Sequence, residues 1–180
     1  MSMNKENFNN WYVNILRNLF TNQNAGFIIL MVAFPLLERY LREKSGIHED
    51  EIKDKFYAEL LKVFPELDSE DKARDFWQVY RNGLLHQVTI SLKNRKGVQM
   101  PLGWVSSDVG PFIIYHEGNF WVHPSNFAEN VIRIIENDFS TFEGLHSVNH
   151  PLPVVHTECT ITLGTSTPNA FRLKNPKGGG

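Results

Sequence analysis

Apolar residues recur three and four positions apart through the first half of the chain, which is the repeat of amphipathic helices. Phe8, Trp11, Tyr12, Ile15, Leu16 and Leu19 mark a helix over residues 8–21. A second helix spans 25–44, apolar through its first half and charged at its end (Glu38, Arg39, Arg42, Glu43, Lys44), with Gly46 as its stop. Pro35 lacks an amide donor and is expected to kink it. Ile52, Phe56, Leu60 and Val63 share one face of a third helix over 50–64, which Pro65 ends. Asp68-Ser69-Glu70-Asp71 then combines a capping side chain with acids near a positive helix end. The helix it opens runs to about residue 90, with Phe76, Trp77, Val79, Tyr80, Leu84, Leu85 and Val88 as its apolar members.

The pattern changes near residue 95. Val98, Met100, Leu102 and Trp104 alternate with smaller or polar residues, and Pro101 restricts such a strand to a sheet edge. Residues 112–116 and 120–123 flank Gly118-Asn119, a pair suited to a hairpin turn. Pro124-Ser125 opens a last helix to about residue 142, with Phe127, Val131, Ile134, Ile135 and Phe139 facing inward. Val155, Thr157, Cys159, Ile161 and Leu163 alternate as in a strand, and 165–180 is polar. The expected fold is mainly α: a bundle of about five helices with a small antiparallel β-sheet inserted before the last one. Residues 1–144 form one domain in this reading, and 145–180 a Pro-containing extended segment with no domain of its own.

Composition narrows the function. With 18 Lys+Arg against 20 Asp+Glu, the chain does not read as a strongly basic duplex binder, although a local basic patch is compatible with it. A single cysteine, Cys159, excludes an internal disulfide and a zinc site built on two thiolates of one chain. The most apolar stretch, 27–37, is far shorter than the roughly 20 residues that span a bilayer. The polar start lacks the order of a secretory signal, so a cytoplasmic location without membrane contact is expected.

Candidate chemistry concentrates in the fourth helix, in Val79-Tyr80-Arg81-Asn82-Gly83-Leu84-Leu85-His86-Gln87. Arginine stays charged and presents a fork of donors that matches phosphate oxygens, while histidine takes or gives a proton near neutrality. Asn82 lies one α-helical turn before His86 and is placed to orient the imidazole or a phosphate. Regular α-helical geometry sets Arg81 about 140° around from His86, so spacing alone does not bring them together. The competing reading makes Arg81 and His86 solvated or salt-bridged residues of an ordinary amphipathic helix. Lys93, Arg95 and Lys96 follow as a short basic run that suits RNA phosphates or a solvated turn, and Tyr80, Trp77 and Trp104 are aromatics suited to base stacking or to the core. His146, His150 and His156 are bracketed by Gly144 and Pro151 and read as loop residues rather than metal ligands; His116 and His123 read as surface residues at hairpin ends. No phosphate-binding glycine loop or Gly-x-Ser-x-Gly elbow is present, and no cofactor is expected.

Arg-Asn-x-x-x-His late in a helical domain resembles the signature of the HEPN superfamily (higher eukaryotes and prokaryotes nucleotide-binding), over roughly residues 8–142. The resemblance implies a helical bundle that dimerises with two copies of the motif helix facing one cleft. It implies a metal-independent endoribonuclease, of the kind found in toxin–antitoxin and anti-phage systems, with an antitoxin or other protein as a partner. Arg81 would hold the scissile phosphate, His86 would act as acid or base, and Asn82 matches the polar residue that follows the arginine. Lys93, Arg95, Lys96 and Tyr80 would contact RNA. The alternative within the family is a catalytically inactive module that binds nucleotide, RNA or a protein.

Overall fold

The computed structural model describes residues 4–47, 54–87, 89–90, 100–106 and 110–143, with the backbone alone at Gln87. The expected start of the third helix (50–53), Val88, Val98 and the segment 145–180 with its histidines and Cys159 lie outside these residues. The chain is mainly helical with one small sheet. Helix α1 (Lys5–Phe8) runs through a π-helical turn (Asn9–Val13) into α2 (Asn14–Leu19). Helix α3 (Gly26–Ser45) continues through Pro35 and stops at Gly46 in the left-handed conformation, where the Ile47 amide returns to the Arg42 carbonyl at 2.9 Å. Helix α4 (Asp54–Val63) leads into a 3-10 turn at Pro65–Leu67. Helix α5 (Glu70–Trp77) starts as expected, with the Ser69 hydroxyl accepting the Lys72 amide.

Three strands follow: β1 (Gly103–Val105), β2 (Ile113–His116) and β3 (Asn119–Val122), in the order β1-β3-β2. The β2–β3 pair is antiparallel, but β1 pairs with β3 in parallel, so the expected purely antiparallel sheet is mixed. The cause lies on the other edge of β1, which is fastened to the helical half: the Gly103 amide donates to the Ile90 carbonyl at 2.9 Å, and Tyr80 engages Trp104. The hairpin turn is Glu117-Gly118 rather than Gly118-Asn119. Both turn residues have positive φ (50° and 76°), the requirement of a two-residue type I′ turn, and Asn119 pairs with His116.

The last helix is broken in two, α6 (Pro124–Asn137) and α7 (Phe139–Glu143), at the non-helical Asp138. His123, expected at the surface, caps α6: its Nδ1 accepts the Asn126 amide at 3.2 Å. α3 packs most extensively against α6, and one core cluster joins them to α4, α5 and the buried face of the sheet. At its centre, Phe34 touches Phe76, Trp77, Tyr80 and Phe127. Among the described residues no helix is long and apolar enough to cross a membrane.

One side chain ties sheet to helices. The Tyr80 hydroxyl accepts the Trp104 amide at 2.9 Å and lies within hydrogen-bond distance of the Trp104 and Phe120 carbonyls, at 2.8 and 3.0 Å. Burial pushes its ionisation well above the usual tyrosine range, so it remains a neutral hydroxyl. Gly103 allows the approach, because a Cβ there would meet Val79 Cγ1 at 2.9 Å and Tyr80 Cζ at 3.0 Å. Tyr80→Phe removes the acceptor of the partly buried Trp104 amide and the hydroxyl beside the Trp104 and Phe120 carbonyls. It is expected to lower the unfolding free energy by about 1–3 kcal/mol, measured by urea denaturation. An unchanged midpoint would mean that water or backbone movement satisfies these groups.

Candidate functional site

The motif lies on a π-helix, Gln78–Gln87, that continues α5. A π-helix bonds residue i to i+5, a span one residue longer than in an α-helix, so each turn holds more residues. Residues five apart therefore stack along one side, where α-helical winding would separate them. Arg81 and His86 are such a pair, and Arg81 Nη1 lies 2.8 Å from His86 Nε2. The guanidinium can only donate, so this contact is a hydrogen bond when Nε2 presents its lone pair. Nη1 also donates to Asn82 Oδ1 at 3.1 Å. The three motif residues thus meet through one guanidinium nitrogen. Asn82 orients the arginine; no hydrogen bond joins it to His86 among the described residues.

The remaining anchor comes from α3. Arg81 Nε donates to Glu38 Oε2 at 2.6 Å, and the other oxygen, Oε1, accepts from Arg42 Nε at 2.9 Å. Glu38 is only 8% exposed. His86 lies at the surface and Arg81 is partly covered, so the pair forms the solvent-facing edge of a buried ionic network.

Glu38 was read from the sequence only as part of a charged helix end. A signal was available, since Glu38 follows Phe34 by four residues and so continues the face that α3 buries. A carboxylate on such a face requires cationic or hydrogen-bonding partners. Tyr80 is a correction to the expected RNA contacts: its ring is fully buried and its hydroxyl is occupied by the sheet, so it offers no face for a base. On the motif helix and just before it, Trp77, Gly83 and Leu84 are buried within the chain and closed to a second copy, whereas Leu85 is half-buried. Lys93, Arg95 and Lys96 lie outside the described residues. Trp104 does remain accessible, 44% exposed, with its ring stacked on Trp121 at 5.2 Å.

A cleft of about 460 Å³ lies elsewhere, between the loop before α3, the end of β1 and the start of α6, and is lined by Phe20, Gly26, Val105, His123 and Pro124 among others. It contains no motif residue. Among the described residues no group of three His, Cys, Asp or Glu side chains is placed to hold a metal ion. Comparison of the chain with family models, curated proteins and solved structures finds no match.

Proposed function

We propose that this protein is a metal-independent endoribonuclease of the HEPN type, acting as a homodimer whose motif helices share one cleft. The observation that carries the reading is the 2.8 Å contact between Arg81 Nη1 and His86 Nε2 at a solvent-facing edge. A fixed cation next to a proton acceptor is what 2′-OH attack on an RNA phosphodiester requires. In this mechanism the scissile phosphate draws the guanidinium onto its oxygens and frees Nε2. His86 then takes the 2′-OH proton as the 2′ oxygen attacks phosphorus. The bond to the 5′ oxygen breaks, and His86 of the second copy, which enters the step as an imidazolium, gives its proton to the leaving oxygen. The products are a 2′,3′-cyclic phosphate and a 5′-hydroxyl. The exposed Trp104, backed by Trp121, offers a flat surface for an unpaired base.

A second reading, a catalytically inactive HEPN-like module that binds RNA, nucleotide or protein, is favoured by the engagement of Arg81 within its own chain. Its Nε and Nη1 are both engaged by Glu38, Asn82 and His86 of the same chain. One assay separates the two. Purified protein is incubated with a mixed RNA pool in EDTA, and the ends of the products are analysed. Cleavage leaving 2′,3′-cyclic phosphates, blocked by deoxyribose at the cut position, is the expected result. An intact pool, cutting of DNA, or strict dependence on a divalent ion defeats the ribonuclease reading. Light scattering at micromolar concentration tests the dimer, and a monomer there rules out the shared cleft.

A further inference from the structure

Glu38 and Asn130 are the two buried polar or charged residues among those described, and Glu38 is the ionic one. Its carboxylate is divided between two guanidiniums, with Oε2 on Arg81 Nε at 2.6 Å and Oε1 on Arg42 Nε and Nη2, each at 2.9 Å. A buried ion pair is a weak source of stability, because desolvating both charges consumes most of their attraction. Its geometric consequence is larger. A guanidinium has three nitrogens in one plane, carrying five hydrogens in a fixed fork. Glu38 occupies the Nε hydrogen, and Asn82 and His86 occupy Nη1. Nη2 makes no hydrogen bond to the described residues. With Nε held on the α3 side, the Nη1–Nη2 edge is the one presented beside His86; Nη2 can donate to one phosphate oxygen, and a second oxygen that displaces His86 or Asn82 from Nη1 completes a bidentate contact. The same Glu38 carboxylate is shared with Arg42 through Oε1.

We propose that Glu38 is a positioning residue: from α3 it orients the Arg81 guanidinium so that the Nη1–Nη2 edge meets an incoming phosphate next to His86. The proposal rests on the ribonuclease reading for its kinetic consequence, but the orientation of Arg81 can be observed without activity. Glu38→Gln keeps the shape and one acceptor oxygen but removes the charge. Glu38→Asp keeps the charge and shortens the reach.

Both variants are first checked for fold by circular dichroism and then measured in two ways. In single-turnover cleavage, a misdirected guanidinium is expected to lower the chemical rate on the order of 100-fold with KM little changed, since small misplacements of a catalytic group have effects of that size. In the second measurement, the ¹⁵N–¹H signal of Arg81 Nε is followed during titration with inorganic phosphate. The parent is expected to show an ordered signal that moves as phosphate binds, and both variants a broadened signal that phosphate leaves unmoved. Parent-like rates and a parent-like Arg81 signal overturn the proposal, as does a loss confined to KM. Unfolding of both variants also overturns it, because Glu38 is then structural. If the parent cuts no RNA, the ribonuclease reading fails, and the Arg81 signal alone decides the role of Glu38.

Discussion

His86→Ala is expected to lower the rate of RNA cleavage by about two to four orders of magnitude, the usual contribution of one positioned acid or base, and to leave the melting temperature almost unchanged. The expectation follows from where the imidazole sits. His86 lies at the surface, at the end of the π-helix, and its hydrogen bond in the described structure runs to Arg81. Removing it deletes no core contact and leaves Arg81 anchored by Glu38 and Asn82. Arg81 itself is a less discriminating probe. Arg81→Ala removes one cation from a buried carboxylate, so a loss of activity would come with a loss of stability. Arg81→Lys is the better companion: it keeps the charge but lacks the planar fork that reaches Glu38, Asn82 and His86 together. Rates measured on protein shown to be folded, with the parent as reference, give the answer. If His86→Ala retains parental cleavage, any cleavage observed is not chemistry of this motif.

The side-chain pattern made much of the helical frame legible. Ser69 caps where the polar cluster placed a start, Gly46 stops α3, and Phe76 and Trp77 face the core as their spacing implied. Two features of the site were not legible. Winding is the first. Arg81 and His86 are five apart, and α-helical geometry separates them, whereas the π-helical stretch aligns them. Residue spacing carries no direct signal for this winding, because the apolar positions around the motif fit either repeat. Glu38 is the second, since a charged helix end is usually solvated and the partner that buries this residue lies 43 positions away. The parallel pairing of β1 has a similar origin. It depends on Tyr80 and Ile90 holding the strand's outer edge, which is tertiary information rather than strand propensity.

Phe34→Ala is expected to reduce the unfolding free energy by about 3–5 kcal/mol, the range for truncating a fully buried aromatic residue. Phe34 has no exposed surface, and its ring centroid lies 4.8 Å from that of Phe127, 5.7 Å from Phe76, 5.6 Å from Trp77 and 6.0 Å from Tyr80. These neighbours come from α5, the π-helix and α6, so relaxation around the deleted ring would require three elements to move together, and a cavity should persist. The same position connects stability to the site. Phe34 precedes Glu38 by one turn on α3, while Trp77 lies four residues and Tyr80 one residue before Arg81. The ring therefore sets the spacing between the carboxylate and the guanidinium it holds. Chemical denaturation measures the stability loss, and Phe34→Leu, which refills part of the space, should recover part of it. Far below the melting temperature, where Phe34→Ala is still folded, its RNA cleavage rate should remain below that of the parent, because a loosened core lets the Glu38–Arg81 distance vary. A stability change below about 1 kcal/mol would place Phe34 outside the usual range for buried aromatics, and would show that α3 and the motif helix are held in register by other contacts.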